Sequence, residues 1–305
     1  TADVVKIAES FGIQIHCYAD DVQLYIHCLA NDAPTAVARL LACISAIDKW
    51  MGSNKLKLNA DKTQLIWLGT RQQLVKIDNT PFILHDGTVI HPSTQVRSLG
   101  VILDNELTMS PHVNSVVRGC FYHLRQLRSI RSSLTDSAAK TVVHALISSR
   151  IEYCNSVLVG VAEAVSQRLQ SVLNSSARLI TNRRRFDHIT PALRDELHWL
   201  PIQQRIQYKI ALLVFKCLHG LSPVYLSTAC TPVASLQDSR TLRSAVHGDI
   251  AQPRTHTRRI GPRSFRSSAP TIWNSLPTPV KNSSLTIGQF KCALKTHLFN
   301  VAYNI

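Results

Sequence analysis

Tyr18-Ala19-Asp20-Asp21 sets two adjacent carboxylates between two short alternating runs. Ile13, Ile15 and Cys17 share one face of Ile13–Cys17, and Leu24, Ile26 and Cys28 share one face of Val22–Cys28. A period of two on both sides of a four-residue break predicts a β-hairpin with acids at its tip. A tight turn fixes carboxylates that side-chain entropy would otherwise scatter. Held this way they are hard-oxygen ligands for Mg²⁺, and two-metal nucleotidyl transfer requires such a cluster. A solvated turn uses the same residue types with no chemistry attached.

The elements around the hairpin follow from periodicity. Asn31-Asp32 followed by Pro34 reads as a helix start, with a cap ahead of a first-turn proline. Val37, Leu40, Leu41, Ile44 and Ile47 carry that helix to about Trp50, with an apolar face for a sheet. Strands are expected at Lys55–Leu58, Leu65–Leu68, Pro81–Leu84, Thr88–Ile90 and Val96–Leu103. From Ser110 the spacing turns helical, predicting helices over Pro111–Ser132, Thr135–Ser149, Ala162–Asn182 and Gln203–His219, the last ended by Gly220. Residues 231–270 are poor in apolar periodicity and rich in Ser, Thr, Pro and Arg, so irregular or extended structure is expected there. A final amphipathic helix is expected over Thr286–Phe299. The expected fold class is α+β.

Charge divides the chain of 305 residues. Residues 1–115 carry 9 Lys+Arg against 11 Asp+Glu, and residues 116–305 carry 25 against 8, a net of +17. In the second part Arg outnumbers Lys 19 to 6. Guanidinium forks grip phosphates bidentately and stack on bases, so this bias points to a polyanionic partner. A solvated basic surface is the competing reading. On the Pro111–Ser132 helix, Val113, Val116, Cys120, Leu124 and Leu127 form one stripe, with Arg118 and Arg125 nearly opposite and Arg128 on the flank. Arg183-Arg184-Arg185 is the densest basic run, in a loop after a helix, where the helix dipole also favours cations.

Other classes find little support. The longest uncharged apolar stretch near a helix, Ile210–Phe215, falls far short of the roughly 20 residues of a bilayer span, and Thr1–Phe11 carries acids that a secretory signal would not. An intracellular, non-secreted protein without a membrane partner is expected. The eight cysteines (17, 28, 43, 120, 154, 217, 230, 292) form no CxxC pair and are expected to be buried reduced thiols. Cys217, His219 and Cys230 come nearest to a zinc set but lack paired-ligand spacing. No Ser/His/Asp triad, phosphate loop or dinucleotide fingerprint is present.

The stretch His16-Cys17-Tyr18-Ala19-Asp20-Asp21-Val22-Gln23-Leu24-Tyr25 resembles the palm hairpin of LINE-type (non-LTR) retrotransposon reverse transcriptases. Trp50-Met51-Gly52-Ser53-Asn54 through Lys57-Leu58-Asn59-Ala60-Asp61-Lys62-Thr63 is similar to the next palm motif, and Ser98-Leu99-Gly100-Val101-Ile102-Leu103-Asp104 to the primer-grip region. The likeness continues through Ser149-Arg150-Ile151-Glu152-Tyr153-Cys154-Asn155, His198-Trp199-Leu200-Pro201 and Lys216-Cys217-Leu218-His219-Gly220 to Ala269-Pro270-Thr271-Ile272-Trp273-Asn274-Ser275-Leu276-Pro277.

The resemblance implies part of a polymerase palm over 1–109, a helical thumb-like basic region over 110–230 and a basic C-terminal region over 231–305. It implies Asp20 as principal and Asp21 as auxiliary Mg²⁺ ligand, Tyr18 against the primer terminus or nucleotide, and Lys62 near the incoming triphosphate. Arg118, Arg125, Arg128, Arg183, Arg184 and Arg185 become the candidates for backbone contact with an RNA template and a DNA primer. Family members place a further metal-binding Asp on an earlier palm strand, upstream of the helix in which Thr1 lies, and Asp3 and Glu9 do not match it. The intact parent is expected to use dNTPs and Mg²⁺, with fingers and further polyprotein upstream, and this chain alone is expected to be inactive. The alternative is a non-catalytic nucleic-acid-binding remnant of a mobile element.

Overall fold

The computed structural model describes residues 2–78, 81–235, 247–255 and 257–305. The chain falls into two compact units, residues 1–108 and 109–305. The class is α+β, and among the described residues the strands pair only as three separate two-stranded antiparallel ladders.

In the first unit, α1 (Ala2–Ser10) buries Val4 and Ala8. Gly12, at φ 63°, turns the chain back into β1 (Gln14–Tyr18), which pairs with β2 (Asp21–Tyr25). β1 is shifted by one residue from the expected Ile13–Cys17, and β2 stops three residues short of Cys28, although Ile26 beyond it still packs inward. α2 (Ala33–Ser53) has Pro34 in its first turn as expected, but Asp32 makes no side-chain cap bond. This helix is apolar on two sides. Cys43 and Ile47 join Val4, Ala8 and Ile13 in one small core, on which Ile15 and Leu24 of the hairpin rest. Val37, Leu41 and Ile44 face a second core of Phe82, Leu84 and Ile90, and Leu40 touches both.

The expected strands at Lys55–Leu58 and Leu65–Leu68 do not form. Lys55 sits in the left-handed region at φ 58°, Ala60–Lys62 is a 3₁₀ turn, and Leu65 makes only an isolated bridge to Pro92. Alternation without a partner strand leaves no ladder. A short helix, α3 (Arg71–Leu74), precedes the ladder of β3 (Phe82–Ile83) and β4 (Val89–Ile90). The single strand expected at Val96–Leu103 is two strands, β5 (Gln95–Ser98) and β6 (Val101–Asp104). Leu99 (φ 45°) and Gly100 (φ 81°) form a two-residue turn that needs positive φ at both positions.

The second unit is helical. α4 (Ser110–Ile130) buries Val113, Cys120, Leu124 and Leu127 and packs along α7 (Glu163–Ile180). Thr135 caps α5 (Asp136–Val143) by accepting from the Ala138 N–H at 3.2 Å. The helix then widens into a π-turn at His144–Ser148 and ends as α6 (Ser149–Glu152). A second π-turn spans Ala192–Glu196.

α8 (Ile202–Leu218) is followed by the short α9 (Val224–Ser227), and it packs against α10 (Phe265–Asn274) and α11 (Ile287–Tyr303). At the centre of these three helices Phe290 stacks on Phe215 (4.2 Å between centroids) and lies 5.9 Å from Trp273, whose Nε1 donates to the Gly248 carbonyl at 2.9 Å. α10 corrects the irregular structure expected up to residue 270. It buries Trp273 together with the small residues Ser267, Ser268 and Ala269. Of the rest of 231–270, residues 236–246 and 256 lie outside the described residues.

Candidate functional site

In the first unit the register pairs Tyr18 with Asp21, leaving Ala19 and Asp20 as the two loop residues of the hairpin. Ala19 takes φ 54°, a left-handed conformation that costs a residue with a Cβ of order 1 kcal/mol. Strain of this kind persists where the surrounding structure over-determines it. Tyr18 is 69% exposed, and Asp20 and Asp21 are exposed beside it. The base of the hairpin is held from both strands. Tyr25 Oη and His16 Nε2 are 3.0 Å apart with their rings stacked, and Gln23 Nε2 donates to Ser98 Oγ, tying β2 to β5. The tip is thus displayed, with its carboxylates free of ion pairs among the described residues.

Lys62 ends the 3₁₀ turn Ala60–Lys62, where its backbone N–H donates to Asn59 Oδ1 at 3.3 Å. Its side chain is exposed and makes no ion pair with either hairpin carboxylate. Tyr25 and Trp67 are half-buried, Trp67 against the second small core.

Mg²⁺ in a two-ion site needs several anionic ligands to offset its charge. Among the described residues no group of three or more His, Cys, Asp or Glu is placed to hold a metal ion. Asp20 and Asp21 therefore do not by themselves complete such a site. The Cys217, His219, Cys230 set is not one either, since both His219 ring nitrogens lie against carbonyl oxygens, of Phe215 at 2.8 Å and Ser283 at 3.1 Å. Cys43, Cys120, Cys217 and Cys230 are buried, and desolvation pushes the Cys120 thiol to about 11 and the Cys230 thiol to about 12. Cys17, Cys28 and Cys292 are exposed, which corrects the expectation that all eight are buried.

In the second unit, Arg118, Arg125 and Arg128 are exposed on α4, and none makes a hydrogen bond or ion pair among the described residues. Tyr122, 53% exposed, stands four residues after Arg118 and three before Arg125 on the same helix face. A search for charge alone passes over it. Its spacing from two arginines is the signal that would have found it. Such a face offers phosphates two guanidinium groups with an aromatic ring between them.

The basic run after α7 divides by role. Arg183 is half-buried, ion-paired to Glu196 and donating to the His188 carbonyl at 3.0 Å, so it ties its loop together. Arg184 and Arg185 are exposed, and the Arg185 guanidinium lies 5.7 Å from the ring of Phe186, which is 91% exposed. Arg131, by contrast, is spent on structure. It donates to the carbonyls of Leu179 and Ile180 at the end of α7 and pairs with Asp136.

No helix among the described residues is long and apolar enough to cross a membrane. No protein-family model and no solved structure matches the chain. The sequence is 29% identical over 169 residues to the probable RNA-directed DNA polymerase from transposon BS of Drosophila melanogaster, a match covering 54% of this chain and 18% of that protein. The chain thus spans less than a fifth of that relative's length.

Proposed function

We propose that this chain is part of the reverse transcriptase of a non-LTR retrotransposon. Residues 1–109 serve as part of the palm, 110–230 as a thumb-like grip on template and primer, and 231–305 as a C-terminal region. The observation that carries this reading is the Tyr18-Ala19-Asp20-Asp21 tip, displayed on a strained two-residue turn in a chain similar to a transposon polymerase. Asp20 is then the principal and Asp21 the auxiliary Mg²⁺ ligand of the longer protein, with Tyr18 and Lys62 beside primer and dNTP. Arg118, Arg125 and Arg128, joined by Arg184 and Arg185, contact the backbone of the RNA–DNA hybrid. Arg183 holds their loop.

In a longer polypeptide carrying the fingers and the upstream palm carboxylate, Asp20→Asn should cut nucleotide incorporation by about three orders of magnitude or more and leave template binding nearly intact. An active Asp20→Asn protein would refute the assignment. The 305-residue chain itself should not extend oligo(dT) on poly(rA). A second reading, a non-catalytic nucleic-acid-binding protein, is favoured by one contrast. The cationic face of α4 stands ready on a well-packed helix, whereas the two carboxylates lack a third partner among the described residues.

A further inference from the structure

α4 and α7 run side by side in the same direction, fixed by a contact near each end. Arg168 of α7 donates to Asn114 Oδ1 near the start of α4, and Arg131, just beyond α4, donates to the carbonyls of Leu179 and Ile180 at the end of α7. Arg128, in the last turn of α4, therefore lies at the end of the pair from which the 183–188 loop emerges.

Phe186 on this loop is the most exposed large apolar side chain among the described residues. A phenyl ring held in water forgoes the burial that favours folding, so its position calls for a reason. The loop is not slack. The Arg183 N–H donates to the Arg178 carbonyl at 3.0 Å, and the Arg183 side chain reaches Glu196 and the His188 carbonyl. The Arg184 N–H donates to Asp187 Oδ2 at 2.6 Å, and Arg178 donates to the Asp187 carbonyl at 3.3 Å. Backbone on both sides of Phe186 is thus tied to α7 and to the π-turn at Ala192–Glu196, and the ring is held outward on a fixed support.

A flat ring flanked by the exposed guanidinium groups of Arg184 and Arg185 matches a ligand that is planar and anionic by turns along its length. Bases inside a duplex are already stacked on their neighbours, whereas an unpaired base offers its face. A membrane-binding helix presents a stripe of apolar residues. Phe186 instead stands alone among the exposed Asn182, Arg184, Arg185, Asp187 and His188. We propose that Phe186 is a stacking platform for one unpaired base of a single-stranded nucleic-acid segment, with Arg184 and Arg185 on the adjoining phosphates. The proposal rests on the reading of this unit as a nucleic-acid binder and deepens it, giving α4 the paired strands and the 183–188 loop the single strand that continues from them.

The test is fluorescence polarisation of the full chain and its Phe186→Ala and Phe186→Trp variants with labelled oligo(dT), its abasic counterpart and a blunt RNA–DNA duplex. Phe186→Ala should weaken oligo(dT) binding about tenfold, and Phe186→Trp should restore it, because any aromatic face stacks on a base. The abasic strand and the blunt duplex should bind wild type and Phe186→Ala alike. Unchanged oligo(dT) affinity in Phe186→Ala would overturn the proposal, as would an equal loss on the abasic strand. Phosphatidylserine vesicles that bind through Phe186 while oligo(dT) does not would assign the loop to a lipid surface and overturn it too. Duplex binding together with oligo(dT) binding indifferent to Phe186 removes the platform alone, whereas failure of the wild type to bind any of the three probes removes the broader reading.

Discussion

Among the described residues, the largest fully buried side chains include Ile13 from residues 1–108 and Trp273, Phe215, Phe290, Leu124, Ile147, Leu169, Leu173, Ile180, Ile210, Ile250 and Leu294 from 109–305. The first unit divides its apolar residues between two small cores on either side of α2, and its strands are short ladders with solvent on most of one face. The second interlocks long helices around stacked aromatics. Charge divides the same way, with a slight acidic excess up to residue 115 and a net of +17 beyond it. A thin scaffold displaying a strained acidic tip needs support that a deep helical core carrying a cationic face does not. The second unit is thus the one whose arginine face is kept ordered by its own packing.

The same substitution made in each unit should break or uphold that contrast. Leu173→Ala, in the centre of α7, removes a side chain 1% exposed and should cost about 3 kcal/mol. Leu24→Ala, half-buried on strand β2 of the hairpin, should cost about 1 kcal/mol. Chemical denaturation of the full-length variants measures both, and equal losses would contradict the difference in core depth.

Acid offers a smaller effect with a definite sign. His112 on α4 is buried, and desolvation holds its pKa below the ordinary 6.5, so the unfolded chain takes up a proton that the folded one refuses. Stability of the second unit should therefore fall as pH drops through 6.5 toward the folded value, by at most about 1.4 kcal/mol per pH unit for one proton. His297 on α11 is shifted the same way for the same reason. In the first unit, hydrogen bonds from Thr88 hold the exposed Asp86 below 3.8, so that contribution persists until far lower pH. Urea midpoints between pH 7.5 and 5.5 should decline for the wild type and decline less for His112→Gln. An identical decline would remove His112 as the cause.

Helices over 110–219 were legible because a stripe repeating every three or four residues survives the loss of any one position. The spacing over Thr135–Ser149 predicts one helix, although its middle widens into a π-turn that leaves no mark on spacing. Val96–Leu103 predicts one strand because the strand-forming residues on both sides conceal a two-residue turn, which Gly100 alone signals. Lys55–Leu58 alternates like a strand, but a strand requires a neighbour, which a local pattern does not supply. α10 escapes the sequence pattern because its first half buries the small residues Ser267, Ser268 and Ala269, so the apolar spacing emerges only at Ile272 and Trp273. For the site, adjacent Asp20 and Asp21 were readable because hairpin and acids are contiguous.

On the proposed function, nucleic acid binds the arginine face of α4 independently of the acidic hairpin. A salt series with a labelled RNA–DNA duplex tests it most directly, comparing the full chain with the triple variant Arg118→Ala/Arg125→Ala/Arg128→Ala. Neutralising phosphates releases condensed counterions, so for about four to six contacts log affinity should fall against log salt with a slope of roughly −4 to −5. The triple variant should flatten that slope by up to about three units, while Asp20→Asn should leave it unchanged. A triple variant with the wild-type slope would contradict the account.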